Sequence, residues 1–145
     1  KTPEGDFVDK EGNYIGRHKG IIHYTIGQRR GLGIPAASRL YVCEISPKTN
    51  TVVLGDNADL FSSELEADSV NLISVDSLAE PKRVTAKIRY RHKEQPATAW
   101  QTPDGILHVK FDEPQRAITK GQAVVMYDGD EVVGGGVINK IYSQS

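Results

Sequence analysis

The chain has 145 residues with 18 Lys and Arg against 19 Asp and Glu, and its 38% hydrophobic and 26% charged content is that of a soluble globular protein of one ordinary domain or two small ones. No apolar run approaches the roughly 20 residues that cross a bilayer, which excludes a membrane-spanning role by helices. Cys43 is the single cysteine, which excludes an internal disulfide, a cysteine zinc cluster and a two-cysteine redox pair. The start, Lys1-Thr2-Pro3-Glu4-Gly5, has no signal-peptide character and lacks Met, so a cytoplasmic fragment or processed product is expected.

Phe7-Val8 and Tyr14-Ile15 flank Asp9 to Asn13 and predict a short hairpin with a Gly-Asn turn. Between Glu11 and Glu44 there is then no carboxylate, while Arg17, Lys19, Arg29, Arg30 and Arg39 fall in that interval. Uncompensated positive charge of this kind points to an anionic partner or to a solvated basic face. Thr25 and Gln28 have capping-box spacing and Gly31 sits at a stop position, which predicts a helix of one or two turns with Arg29 and Arg30 in its last turn. The glycines of the segment oppose helix, each interior one costing about 1 kcal/mol, and suit a backbone that must approach something closely.

Leu40 to Ile45 and Thr51 to Leu54 predict a second hairpin, with Cys43 packed as a small hydrophobe in its first strand. The stretch from Thr49 to Pro81 has no Lys or Arg, and its carboxylates have no metal-loop or acid/base pattern around them. Leu65 to Ile73 alternates like a half-exposed strand. The short polar stretch Ser74 to Pro81 suggests a domain boundary, giving residues 1–75 and 76–145. Val84, Ala86, Ile88 and Tyr90 then alternate with Thr85, Lys87, Arg89 and Arg91, so one face of a predicted strand is apolar and the other cationic. Side chains two apart on a strand are roughly 6.6 Å apart, a spacing that can follow a nucleic-acid backbone or simply protect a sheet edge. Turns at Thr102 to Gly105 and Asp128 to Asp130 join further strands, and Val137-Ile138 closes the series. Five or six strands in short order are most economically arranged as a small antiparallel barrel, because closure removes the edges.

No self-sufficient catalytic constellation emerges. His18, His23, His92 and His108 lack helical metal-motif spacing, and no serine occupies a Gly-x-Ser-x-Gly elbow. Gly134-Gly135-Gly136 lacks the Lys-Ser/Thr of a phosphate loop and leads into a strand pattern, so close packing at a barrel corner is expected of it.

The blocks Gly5-Asp6-Phe7-Val8, His18-x-Gly20, Tyr24 to Ile34, Tyr41-Val42, Lys87 to Arg91, Phe111 to Gln122 and Gly134 to Ile138 resemble, in order and almost end to end, the carboxyl-terminal part of the tRNA-specific 2-thiouridylase (MnmA) family. The resemblance implies a mainly β chain: a small central β-rich domain with a short helix, then an antiparallel β-barrel similar to those of translation factors. It implies an enzyme that activates the wobble uridine of tRNA with ATP and inserts sulfur from a cysteine persulfide, supplied by a sulfur-relay protein. The ATP loop and both catalytic cysteines of the family precede the matching region, and Cys43 matches neither. By this resemblance the chain has no catalytic residue, metal or cofactor of its own; ATP belongs to the N-terminal catalytic domain. Arg89 and Tyr90 match the family's tRNA-contacting Arg-Tyr pair, and Gln122 matches a tRNA-contacting Gln in its Gly-Gln-x-x-Val block. Without the family, a turn amide satisfying backbone groups is the reading of Gln122. Lys120 stands where the family commonly has Pro. Arg17, Gln28, Arg29, Arg30, Lys87 and Arg91 are further candidates for RNA or interdomain contact. The alternative is a translation-factor-like module that binds a protein surface without catalysis.

Overall fold

A computed structural model describes residues 3–35 and 39–143, and the chain divides into two compact units between Phe61 and Ser62. The first unit is a four-stranded sheet built from β1 (Gly5–Val8), β2 (Tyr14–His18), β3 (Tyr41–Ser46) and β4 (Thr51–Gly55), in the order β2-β1-β4-β3. Both predicted hairpins form. In the first, the Asp9 carboxylate accepts the amides of Glu11 and Asn13 at 3.0 and 2.8 Å, and Gly12 takes the positive φ of 89° that the turn needs. β1 and β4 pair in parallel, Phe7 opposite Val52, and this long-range rung joins the two hairpins. Phe7, Val42, Val52 and Leu54 are buried on the sheet and are covered by Tyr24 and Leu32 from the β2–β3 connection.

The second unit is a closed barrel of β5 (Phe61–Leu72), β6 (Lys82–Lys87), β7 (Gln95–Gln101), β8 (Leu107–Arg116), β9 (Ala123–Asp128) and β10 (Glu131–Ile141), in the order β10-β5-β8-β7-β6-β9. The boundary expected between residues 75 and 76 is corrected by this topology: the acidic strand β5 opens the barrel instead of closing the first unit. Leu65 and Ala67 are buried in the barrel core while Glu64, Glu66 and Asp68 alternate with them, so the charge shift in the sequence marks a strand face and not a border. Residues 73–81 are a connection within the barrel. Leu78, 1% exposed, enters the core there, and its carbonyl accepts the Gln101 amide at 2.8 Å.

The glycine triplet lies in β10, as its strand pattern predicts. A Cβ on Gly134 would sit 2.3 Å from the Asn71 carbonyl oxygen of β5, and one on Gly135 would sit 2.2 Å from the Val124 carbonyl oxygen of β9. Residues without side chains let β10 press between two backbones, through register shifts between Val132 and Gly134 and between Gly135 and Val137, and so complete the ring. Past β10, the Tyr142 amide donates to the Glu64 carbonyl at 3.0 Å and the phenol donates to the Glu66 carboxylate. On the barrel wall, Trp100 and His108 form a cross-strand pair with rings parallel within 3° and centroids 5.2 Å apart.

Replacing Gly135 by Ala is expected to destabilise the barrel by about 1–3 kcal/mol or more, read as a lower urea midpoint, because backbone and not a flexible side chain must move. A second expectation concerns Tyr142, whose phenol is pushed up to about 12 by its hydrogen bond to Glu66 and by burial. A raised folded-state value means the contribution is complete below about pH 10 and is lost as pH rises towards 12. The stability advantage of the native chain over Tyr142→Phe should therefore hold at neutral pH and vanish across that alkaline window.

Candidate nucleic-acid interface

The acid-free segment of the first unit does not form the predicted helix. A short 3-10 turn occupies Ile21–His23, and a tight turn follows at Thr25 to Gln28, with the Gln28 amide donating to the Thr25 carbonyl at 3.0 Å. Gly27, Gly31 and Gly33 have φ of 92°, 75° and 81°, left-handed backbone that a right-handed helix cannot contain. Half of the expected capping box survives without the helix: Gln28 Oε1 accepts the Thr25 amide at 3.0 Å, while Nε2 donates to the Arg30 carbonyl at 2.8 Å. The segment then adds a rung to the outer edge of β3, Gly27 N–H to the Val42 carbonyl at 2.7 Å and Val42 N–H to the Gln28 carbonyl at 2.8 Å. Gln28 is thus committed to its own turn. Arg17 donates to its cross-strand neighbour Asp6 at 2.8 Å. Lys19, Arg29 and Arg30 are exposed and make no ion pair among the described residues, and the Arg29 guanidinium stands 6.0 Å from the centre of the Tyr41 ring.

Beneath these cations lies a polar knot. His18 is 1% exposed; its Nδ1 accepts the Gly20 amide at 2.9 Å, so the ring proton is on Nε2, which donates to the Asn50 carbonyl at 2.7 Å. Phe7, His18 and Tyr24 meet edge to face, and the Tyr24 hydroxyl accepts the Lys19 amide at 3.0 Å. Gly5 has no room for a side chain, since a Cβ would lie 2.1 Å from the Asn50 carbonyl oxygen. The His-x-Gly and Gly-Asp-Phe-Val blocks therefore hold the loop that displays the charge.

On the barrel, the strand carrying the cationic row expected along residues 85–91 is shorter than expected, because β6 ends at Lys87; Lys82 and Arg83, just ahead of that row, are met by acids from strands remote in sequence. Arg83 makes a two-pronged contact with Asp112 at 2.8 and 2.7 Å, Lys82 pairs with Asp128 at 2.9 Å, and Lys87 stands 5.7 Å from the Tyr127 ring centre. The pairing raises the Arg83 pKa and lowers that of Asp112. Arg89 and Tyr90 belong to the connection 88–94 at one end of the barrel. Tyr90, expected on the strand's apolar side, is instead 92% exposed.

Arg89 turns back across that end. Its two terminal nitrogens donate to the carbonyls of Arg116, at 3.1 Å, and Ala117, where β8 gives way to the β8–β9 connection. Burial, with a further contribution from nearby Arg116, lowers the guanidinium pKa. Ala117 is buried with φ of 59°. The same connection ends at Gln122, whose backbone bonds to Thr119 and Ile138 while its exposed side-chain amide has no hydrogen-bond partner among the described residues. The turn-amide reading of Gln122 is not realised. Arg89, Tyr90 and Gln122, far apart in sequence, are thereby brought to one barrel end, where Arg91, Lys93 and Lys120 are also exposed. Glu94, the carboxylate of the first connection, accepts from Thr85 at 2.6 Å. No group of three or more metal-ligating side chains occurs among the described residues. Among the described residues, no helix is long and apolar enough to cross a membrane.

Known proteins agree with this division into β modules. Residues 62–138 match the family model described as an aminomethyltransferase beta-barrel domain, and residues 1–56 match a tRNA methyl transferase PRC-barrel domain. The pair of modules places the chain in a family of tRNA-modifying enzymes. More narrowly, it belongs to the tRNA-specific 2-thiouridylase family. The MnmA proteins of that description from Clostridioides difficile (strain 630) and Acetivibrio thermocellus are 60% and 57% identical over 97% and 92% of this chain. That of Clostridium botulinum (strain Loch Maree / Type A3) is 54% identical over 97% of it. The chain spans about two fifths of the length of these curated relatives, 39%, 37% and 39% in turn.

Because Gln28 ties down its own turn, Gln28→Ala is expected to cost about 1–2 kcal/mol, with Gln28→Glu, which keeps the acceptor and loses the donor, falling between. Chemical denaturation of the three proteins gives the order.

Proposed function

We propose that this chain is the substrate-holding portion of a tRNA 2-thiouridylase, gripping tRNA so that its wobble uridine reaches a catalytic domain borne elsewhere in the full protein. That domain would supply the ATP-dependent activation and the persulfide sulfur, with a sulfur-relay protein as donor, in the cytoplasm. The observation that carries the reading is the barrel end: an aromatic ring 92% exposed and, at the same end, an exposed amide with no hydrogen-bond partner among the described residues and several exposed cations. A solvated ring has little stabilising value to its own fold, and rings of this kind stack on unpaired bases while Arg and Lys meet phosphates. A Gln amide carries both a donor and an acceptor and suits a base edge or a ribose hydroxyl. Arg29 and Arg30 of the first unit, with Lys19, supply further positive charge for phosphate or for the catalytic domain. The resemblance assigns tRNA contact to Arg89, Tyr90 and Gln122, and the relatives are named for acting on tRNA.

In the full protein, Tyr90→Ala and Gln122→Ala should each weaken tRNA binding and lower 2-thiouridine formation. Loss of one stacked base is worth about 1–3 kcal/mol, or roughly fivefold to more than a hundredfold in Kd. Binding of the unsubstituted protein should fall steeply with salt. Filter binding at moderate ionic strength decides: affinity unchanged in both variants rejects the assignment.

A further inference from the structure

Arg89 differs from the other cations at the barrel end in what surrounds it. Arg91, Lys93 and Lys120 project into solvent, whereas Arg89 is partly buried and two of its N–H groups are already given to main-chain carbonyls. Those carbonyls belong to successive residues, Arg116 and Ala117, at the point where β8 leaves the barrel wall. Ala117 holds a left-handed φ of 59°, which is unfavourable for any residue with a Cβ and persists only when neighbours impose it. The Thr119 hydroxyl adds a second donor to the Ala117 carbonyl at 3.0 Å. From this anchored corner the chain runs through Lys120 to Gly121 and Gln122, which are secured on Ile138 of β10: the Gly121 N–H donates to the Ile138 carbonyl at 2.8 Å and the Gln122 carbonyl accepts the Ile138 N–H at 2.9 Å. A planar fork that reaches two carbonyls at once is a property of guanidinium that the lysine ammonium does not share.

We propose that Arg89 serves the tRNA site as a positioning residue: it clamps the backbone at Arg116 and Ala117 and thereby sets the connection that presents Lys120 and Gln122, leaving phosphate contact to exposed cations such as Arg91. This inference rests on the tRNA reading above but makes a separate claim about how one member of the site works. A phosphate contact contributes a released counterion, so its removal lowers the slope of log Kd against log salt by about one. A clamp contributes affinity without contributing to that slope.

The test uses the full protein with unmodified tRNA transcript, titrated over a range of salt, together with hydrogen exchange at the Gly121 and Gln122 amides. Arg89→Lys, which keeps the charge and loses the fork, and Arg89→Ala should each raise Kd about tenfold with the salt slope unchanged, and should speed exchange at both amides. Arg91→Ala should lower the slope by about one and leave exchange alone. A slope lowered by about one in Arg89→Ala overturns the inference, as does unchanged affinity or unchanged exchange in both Arg89 variants. Should Arg89→Ala fail to fold, Arg89→Lys alone decides, because a phosphate contact would tolerate it and a clamp would not. Absence of tRNA binding by the unsubstituted protein would reject the tRNA reading instead, and exchange at Gly121 and Gln122 would still report on the clamp.

Discussion

Closure of the barrel at β10 is the constraint on which the second unit depends. A six-stranded antiparallel ring leaves no strand edge exposed, but its last strand must fit between two neighbours already in place. Here the fit is made by glycine: Gly134 and Gly135 lie against the carbonyl oxygens of Asn71 and Val124, at distances that no Cβ could occupy. Once the ring is closed, the register of each pair follows. Lys87 lies opposite Val125 and Val137 opposite Ala123, so the β6–β7 and β8–β9 connections emerge at the same end. The juxtaposition of Arg89 and Tyr90 with Gln122 is thus a consequence of topology.

Strand alternation alone is a poor guide to which charges are available. Arg83, Lys87 and Arg89 look equivalent in the sequence, being spaced like beads on one side of a strand. In the barrel they have three different fates: Arg83 is matched by a carboxylate reached across β7, Lys87 rests near an aromatic ring, and Arg89 lies beyond the strand and bonds to main-chain carbonyls. Neutralisation by Asp128 from the adjacent β9 and by Asp112 from β8, two strands away, suits a sheet surface, where side chains stand in fixed rows and opposite charges find one another. Loops have no such fixed neighbours, and Lys19, Arg29, Arg30, Arg91, Lys93 and Lys120, all exposed and without an ion pair among the described residues, lie on them.

Much of the fold was legible because it is written in short-range signals. Asp-Lys-Glu-Gly-Asn, Thr-Pro-Asp-Gly and Asp-Gly-Asp announce turns, and β-branched runs beside them announce strands; the hairpins and the mainly β class follow. The same local rules misjudged Thr25 to Arg30, where capping-box spacing suggested helix. The Gln28 side chain does bond to the Thr25 amide, but Gly27 at φ 92° turns the backbone the other way and hands it to β3. The domain border was misjudged for a related reason: the acids of β5 belong to its outer face, and only its pairing with β10 and β8 reveals to which unit it belongs. Long-range pairing leaves no trace in a single sequence unless a family pattern supplies it: strand alternation puts Arg89 on a cationic face and Tyr90 on the opposite one, and only the family pattern joins them with Gln122.

The two units use one strategy with different materials. In each, a loop bearing positive charge is held by hydrogen bonds that occupy polar side chains: His18 and Gln28 in the first unit, Arg89 in the second. Such groups lose their freedom to meet a partner, and the exposed residues beside them gain a fixed backbone from which to do so. For the tRNA partner proposed above, preorganisation of this kind would spare ordering entropy at the moment of binding. It also separates two meanings of a functional residue, one that touches the ligand and one that decides where the touching residues stand.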